Sequence, residues 1–197
     1  MDFILPFPDS GVYSAVGFAQ CAELPYEHAM IRNHYVGRTF IQPTQSMRNF
    51  GVRVKINPVR SMIEGKKICI VDDSIVRGTQ LRDNVKVLFD DGAKEVHMRI
   101  ACPPLIYGCP FIGFTSSKSD MELITRRIIR ELEGEGDQRL EAYATTDSPE
   151  YQRMVEIIRE RLGLTTLRFN KLETLIKAIG LPKCKLCTHC FDGTGCF

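Results

Sequence analysis

The apolar positions of this chain follow two rhythms that meet at one place. Ile68–Val71 is a short apolar, β-branched run without polar alternation, the pattern of a parallel strand buried on both faces. Beyond it Leu81, Val85 and Leu88 recur at helical spacing. Between strand and helix stand two adjacent carboxylates, Asp72 and Asp73, then Ser74, Gly78 and Thr79. Strand, acidic pair, small-residue turn and helix, in that order, set a loop at the C-terminal edge of a sheet. Backbone N–H groups and the start of the next helix can hold an anion there. A phosphate fits the turn, and the carboxylates are placed to hold hydroxyls or a divalent cation beside it. The glycine pattern is not G-x-G-x-x-G, and the turn lacks the Gly-Lys-Ser/Thr of a P-loop. The anion therefore need not belong to a dinucleotide or a nucleoside triphosphate.

The same grammar recurs at the start of the chain. Phe3–Phe7 is an apolar strand candidate interrupted by Pro6, and Pro8-Asp9-Ser10-Gly11 follows at once. Pro8 bars ordinary continuation of a strand, and Ser10 and Gly11 permit a tight turn into a helix carrying Ala15, Val16 and Ala19. A second strand–turn–helix joint is thus expected beside the first. Asn33–Arg48 is polar and has neither period, the mark of a functional lid or a solvated loop. Arg38, Arg48 and Arg32 could close on a polyphosphate, with Tyr35 and Phe40 as apolar contacts. Val52–Asn57 reads as a short strand ended by Pro58.

Gly92 closes the helix after the acidic pair and Val96–Ala101 supplies the next strand, so the three make a βαβ unit with parallel strands. Asp120–Leu132 is amphipathic, with Met121, Ile124, Ile128 and Leu132 on one face and its charges on a solvated one. Tyr151–Leu162 turns Tyr151, Met154, Val155, Ile158 and Leu162 inward. A third helix should be capped by Asn170, with Glu173 completing a capping box. Leu172, Leu175, Ile176 and Ile179 form its core face, and Gly180 and Pro182 end it.

Composition narrows the class. A length of 197 residues, 44% hydrophobic and 25% charged, describes one globular domain able to bury a core. A net charge of +2 gives no reason to invoke nucleic acid or a membrane surface, and no apolar run reaches transmembrane length. Eight cysteines are many, and four lie in the last fourteen residues, within KCKLCTHCFDGTGC. Cys184, Cys187 and Cys190 repeat at three-residue spacing, which lets thiolates converge on zinc or an iron–sulfur centre. Clustered thiols of that kind, with no visible signal peptide, suggest a reducing compartment and a cytoplasmic location. Cys69, in the buried run, reads as a core residue.

IVDDSIVRGT resembles the phosphoribosyl pyrophosphate (PRPP) motif of the type I phosphoribosyltransferases. NHYVGRTFIQPTQSMR, GVRVKINPVR and EGKKICIVDDSIVRGTQLR extend the likeness to the glutamine PRPP amidotransferase family. The resemblance runs from the first residues to about Thr115 and returns at Leu162–Gly193. It implies an α/β fold with a mostly parallel sheet flanked by helices, incomplete at its N-terminus, with a helical and cysteine-rich C-terminal extension. The implied divisions are a partial transferase core over 1–117, a helical extension over 118–182, and a tail over 183–197 packing on the core.

The implied reaction joins PRPP and ammonia into 5-phosphoribosylamine and pyrophosphate, the first step of purine biosynthesis. Arg38, Asp72 and Asp73 would be catalytic. Ser74, Ile75, Val76, Arg77, Gly78 and Thr79 would hold the 5′-phosphate, and Asp9, Ser10 and Gly11 the pyrophosphate. Mg²⁺ would sit at Asp72 and Asp73. A structural [4Fe–4S] cluster would take Cys109, Cys187 and Cys190, with Cys184 or Cys196 as a substitute for a fourth ligand. The family's glutaminase domain has no counterpart here, so a glutaminase-bearing partner, a homo-oligomer, or a catalytically silent PRPP-binding remnant are all implied alternatives. A base-specific phosphoribosyltransferase is disfavoured by the FIQPTQ lid and the cysteine tail.

Overall fold

The computed structural model describes residues 1–33, 56–111, 119–135 and 139–195. Its elements in chain order are β1 (Phe3–Pro6), α1 (Val12–Ala22), β2 (Met30–Arg32), β3 (Ile56–Pro58), α2 (Arg60–Ile63), β4 (Lys67–Asp72), α3 (Thr79–Asp90) and β5 (Glu95–Ile100). They continue with α4 (Ile124–Glu133), α5 (Leu140–Ala144), α6 (Pro149–Leu162), β6 (Thr166–Phe169), α7 (Leu172–Ile179) and α8 (His189–Asp192). Four strands form one mostly parallel sheet in the order β1-β4-β5-β6, and β2 pairs antiparallel with β3 in a separate ribbon. The α/β architecture expected from the sequence is thus the one observed. Among the described residues, a cysteine-rich extension set apart from it is not shown.

The chain divides into two compact units. The first comprises Met1–Asp73, Thr79–Arg99 and Leu162–Thr166. Here β4 buries Ile68, Cys69, Ile70 and Val71 completely or nearly so, as its unalternating run requires. Ile4 of β1, Ala15 and Ala19 of α1, and Cys69 and Val71 of β4 pack as one cluster, with Phe18, Leu24 and Tyr26 against it. The small residues of α1 let that helix lie close on the strands. Burial pushes the Cys69 thiol up to about 11, in keeping with its reading as a core residue.

β1 ends the sheet order, yet its outer side is not bare. Ile4 bridges in parallel to Tyr26, donating its N–H to the Pro25 carbonyl at 2.8 Å and accepting from Glu27 N–H at 3.0 Å. The chain's own return after α1 therefore satisfies this edge at its centre.

The second unit comprises Ser74–Gly78, Ile100–Arg161 and Leu167–Phe197. Its core is drawn from Leu105, Ile106, Leu123, Ile128, Ile129, Tyr143, Met154 and Ile158. The helix expected from Asp120 begins later. Asp120–Glu122 is a 3₁₀ turn capped by the Ser119 hydroxyl, the backbone is extended at Leu123, and the α-helix runs from Ile124. Asn170 does not cap α7. Its side chain donates to the Ala101 carbonyl at 3.0 Å and accepts from Lys171 N–H at 2.9 Å, and Lys171 takes the cap position without a side-chain bond. No residue of α7 is buried, so the apolar face predicted for the core is only half-covered at Leu172, Leu175 and Ile176, and Ile179 is exposed. Among the described residues, no helix is long and apolar enough to cross a membrane.

Candidate functional site

The strands of the two expected joints lie side by side. β1 and β4 are parallel neighbours in the register Phe3↔Ile68 to Pro6↔Val71, so the turns that follow them leave the sheet at the same edge. Phe7 N–H donates to the Val71 carbonyl at 2.9 Å, and Gly11 N–H donates back to the Phe7 carbonyl at 2.9 Å. The Pro8–Asp9 peptide is cis. Gly11 closes the turn directly over β4. A Cβ placed there would come within 2.1 Å of the Val71 carbonyl oxygen and 2.9 Å of the Phe7 nitrogen. Only glycine fits at that approach.

Ser10 joins this turn to the acidic pair. Its hydroxyl donates to Asp72 Oδ1 at 2.6 Å, and the same oxygen accepts from Asp73 N–H at 2.8 Å. Asp72 is buried, 6% exposed, whereas Asp73 is open to solvent. Burial pushes the Asp72 carboxyl up to about 7; the Ser10 and Asp73 N–H bonds pull it down, and the Asp73 charge pushes it up again. The result is one carboxyl near its midpoint at neutral pH beside a second that faces water. That donor set suits a hydrated divalent cation or a pair of sugar hydroxyls. Asp9, the exposed carboxylate of the first turn, pairs with Arg32 at 3.0 Å.

Ser74–Gly78, within the second unit, is irregular backbone held from outside. Val76 carbonyl accepts from Ile124 N–H at 2.8 Å, and Arg77 carbonyl accepts from the Arg127 guanidinium at 2.6 Å. The Arg77 side chain pairs with Glu122 at 2.6 Å. Gly78 takes φ +75°, the left-handed region that glycine enters without penalty, and Thr79 opens α3. Ile75 is buried and anchors the turn.

Among the described residues, no three His, Cys, Asp or Glu side chains come together as a metal site. Cys109 and Cys190 are within hydrogen-bonding reach. Burial pushes the Cys190 thiol up to about 11, with Cys109 and then Cys187 adding to the rise. Cys184 and Cys187 are exposed. Among the described residues these thiols are not gathered into the ligand set of a [4Fe–4S] cluster. The tail is fastened instead through its backbone: Cys190 carbonyl accepts from Ile106 and Tyr107 N–H at 2.8 and 3.1 Å, and Tyr107 lies against His189.

Arg38 and Arg48, with the rest of the expected lid from residue 34, and Cys196 lie outside the described residues. The structure adds residues to which the sequence did not point. Glu122 and Arg127 hold the second turn, although the amphipathic pattern assigned such charges to a solvated face.

Adjacent parallel strands, the first ending in the Asp9–Gly11 turn and the second in the buried Asp72 and exposed Asp73, fit a type I phosphoribosyltransferase-like α/β fold. Comparison with known proteins specifies it further. The chain is 41% identical over 192 residues to amidophosphoribosyltransferase 1, chloroplastic, of Arabidopsis thaliana, covering 98% of this chain and 29% of that protein. It is likewise 41% identical to the amidophosphoribosyltransferase of Synechococcus elongatus, covering 34% of it, and 38% identical to that of Methanothermobacter thermautotrophicus, covering 35%. A solved structure of glutamine PRPP amidotransferase from B. subtilis, complexed with ADP and GMP, matches 99% of this chain and 38% of its own. Its TM-score is 0.72 and its identity 37%. No protein-family model matches the chain. The chain is homologous to the amidophosphoribosyltransferases along nearly its whole length and spans about a third of theirs. The likeness therefore also covers the middle stretch, where the motifs alone let it lapse.

Proposed function

We propose that the chain is the transferase portion of an amidophosphoribosyltransferase, forming 5-phosphoribosylamine and pyrophosphate from PRPP and ammonia. The observation that carries this reading is the Ser10–Asp72 hydrogen bond, which ties the first turn to the acidic pair within a chain homologous to those enzymes. In this reading Asp9, Ser10 and Gly11 receive the pyrophosphate, and Ser74–Thr79 the 5′-phosphate. Asp72 and Asp73 hold the ribose hydroxyls and the Mg²⁺ that arrives with the substrate. That cation would screen the phosphate oxygens. The C1–O bond to pyrophosphate breaks as the C1–N bond to ammonia forms. Positive charge grows on the sugar while negative charge leaves with pyrophosphate, so what the protein must supply is N–H donors, cations and exclusion of water. Arg32, paired with Asp9 across exposed surface, is a cation near the departing group and only weakly committed to its partner. Arg38 would serve from the lid. The thiols of the tail have no part in the reaction.

The test is release of pyrophosphate from Mg–PRPP by the purified chain, with ammonia and with glutamine as alternative nitrogen sources. Turnover with ammonia and none with glutamine is the expected result. Tight binding of Mg–PRPP without turnover would establish the silent PRPP-binding alternative, and absence of binding by the folded chain would overturn both.

A further inference from the structure

We infer that Arg127 is a positioning residue for the phosphate-binding turn: it aims the Gly78 N–H at the 5′-phosphate from behind. The inference rests on the proposed reading of Ser74–Thr79 as the phosphate turn. In a planar trans peptide the carbonyl of one residue and the N–H of the next point in opposite directions. The peptides of this turn are trans. Fixing a carbonyl on one side of the turn therefore presents the following N–H on the other. Two carbonyls are fixed in this way. The Val76 carbonyl is held at 2.8 Å by Ile124 N–H, which presents Arg77 N–H. The Arg77 carbonyl is held at 2.6 Å by Arg127 Nη2, which presents Gly78 N–H.

The second contact differs in kind, because its donor is charged. A guanidinium on a carbonyl polarises the peptide and makes its N–H a stronger donor to an anion on the far side. The left-handed backbone at Gly78, φ +75°, turns the chain at that peptide and leaves no Cβ in the approach. Arg127 Nε is buried without a hydrogen-bond partner among the described residues, so the Arg77 carbonyl is the hydrogen-bond acceptor shown for this guanidinium. The Glu131 carboxylate, one helical turn on, is paired with Arg161, and Arg127 acts on it only through its charge. Arg77 itself is drawn aside by Glu122 at 2.6 Å, which keeps that side chain in an ion pair while its backbone faces the ligand. The 3₁₀ turn ending at Glu122 and the start of α4 thus form a brace of three contacts to Val76 and Arg77.

The experiment separates two anions by the turn that each should use. Affinities for ribose 5-phosphate, which carries only the 5′-phosphate, and for inorganic pyrophosphate are measured by titration on the full chain, as wild type, Arg127→Met and Arg127→Lys. Expected is a loss of about tenfold for ribose 5-phosphate in Arg127→Met, one good charge-assisted hydrogen bond, partly restored in Arg127→Lys. Pyrophosphate affinity should stay within twofold. In parallel the Gly78 amide proton is followed by NMR in the wild type. It should move downfield on addition of ribose 5-phosphate, and this arm stands whether or not the variants fold. An Arg127→Met protein that binds ribose 5-phosphate like wild type, or an unmoved Gly78 amide in a wild type that binds it, overturns the positioning role alone. A wild type that binds pyrophosphate but not ribose 5-phosphate overturns the assignment of the turn and the role with it. An equal loss for both anions marks Arg127 as merely structural.

Discussion

At the scale of single residues, Asp72 works against the stability of its own fold. Its carboxyl ionises near 3.8 when unfolded and near 7 when folded, because burial penalises the charge. Below pH 4 it is protonated in both states and has no effect. Between pH 4 and 7 the folded state holds a proton that the unfolded state has released, so stability falls as pH rises, by at most about 1.4 kcal/mol per unit. Above pH 7 the full penalty is present. Asp72→Asn keeps an oxygen for Ser10 and Asp73 N–H but cannot ionise. Its urea midpoint should therefore exceed that of wild type at pH 8 and converge with it near pH 4; parallel pH profiles would refute the account. Gly11 makes the complementary case, in which space decides. Gly11→Ala would drive a methyl against the Val71 carbonyl and must open either the turn or the β1–β4 pairing. A loss of about 2 kcal/mol in chemical denaturation is expected. Pyrophosphate affinity should fall more than ribose 5-phosphate affinity.

Among the elements, β1 is the piece whose packing the rest of the first unit presupposes. Ile4 is fully buried between α1 and the neighbouring strand, and its backbone is bonded on both sides. Ile4→Ala should cost about 2–5 kcal/mol, read from denaturant midpoints, since neither the sheet nor the small-residue face of α1 can collapse into the void. This element was legible in the sequence, as were β4, α3 and β5, because short apolar runs or a helical apolar period meet sharp Pro, Gly or Asp punctuation there. β6 was not. Thr166–Phe169 offers only four alternating residues, and what makes it a strand is long-range bonding such as Thr165 N–H to the Val96 carbonyl. β2, three residues long, was hidden for the same reason. On α7 the period identified the apolar face correctly, but periodicity cannot say whether anything covers it. Asn170 was misread because its amide could serve either a helix cap or a strand end, and tertiary contact with Ala101 decided. The site divides along the same line. Asp9–Gly11 and Asp72–Asp73 were readable as neighbours from two matching joints, whereas Arg127 and Glu122 reach their turn only through folding.

For the molecule as a whole, ligand binding and protonation should be linked through Asp72. A cation delivered beside Asp72 and Asp73 favours the ionised form, so binding Mg–PRPP must expel the proton that burial has kept on Asp72. Each pH unit below about 7 should then cost up to tenfold in apparent affinity. Stabilisation of the folded chain follows the ratio of ligand concentration to dissociation constant, about 2.7 kcal/mol at a hundredfold excess. For a chain of this size that is a rise in Tm on the order of 5–10 °C. At a fixed Mg–PRPP concentration the rise should be several degrees larger at pH 8 than at pH 6. Part of any such difference belongs to the pyrophosphate group of the ligand, which also takes up a proton in this range. Asp72→Asn separates the two contributions, because the ligand's own titration is common to both proteins. The ratio of affinities at pH 8 and pH 6, measured by calorimetry, should be about tenfold greater in wild type than in Asp72→Asn, and equal ratios would show that the cation binds without engaging Asp72.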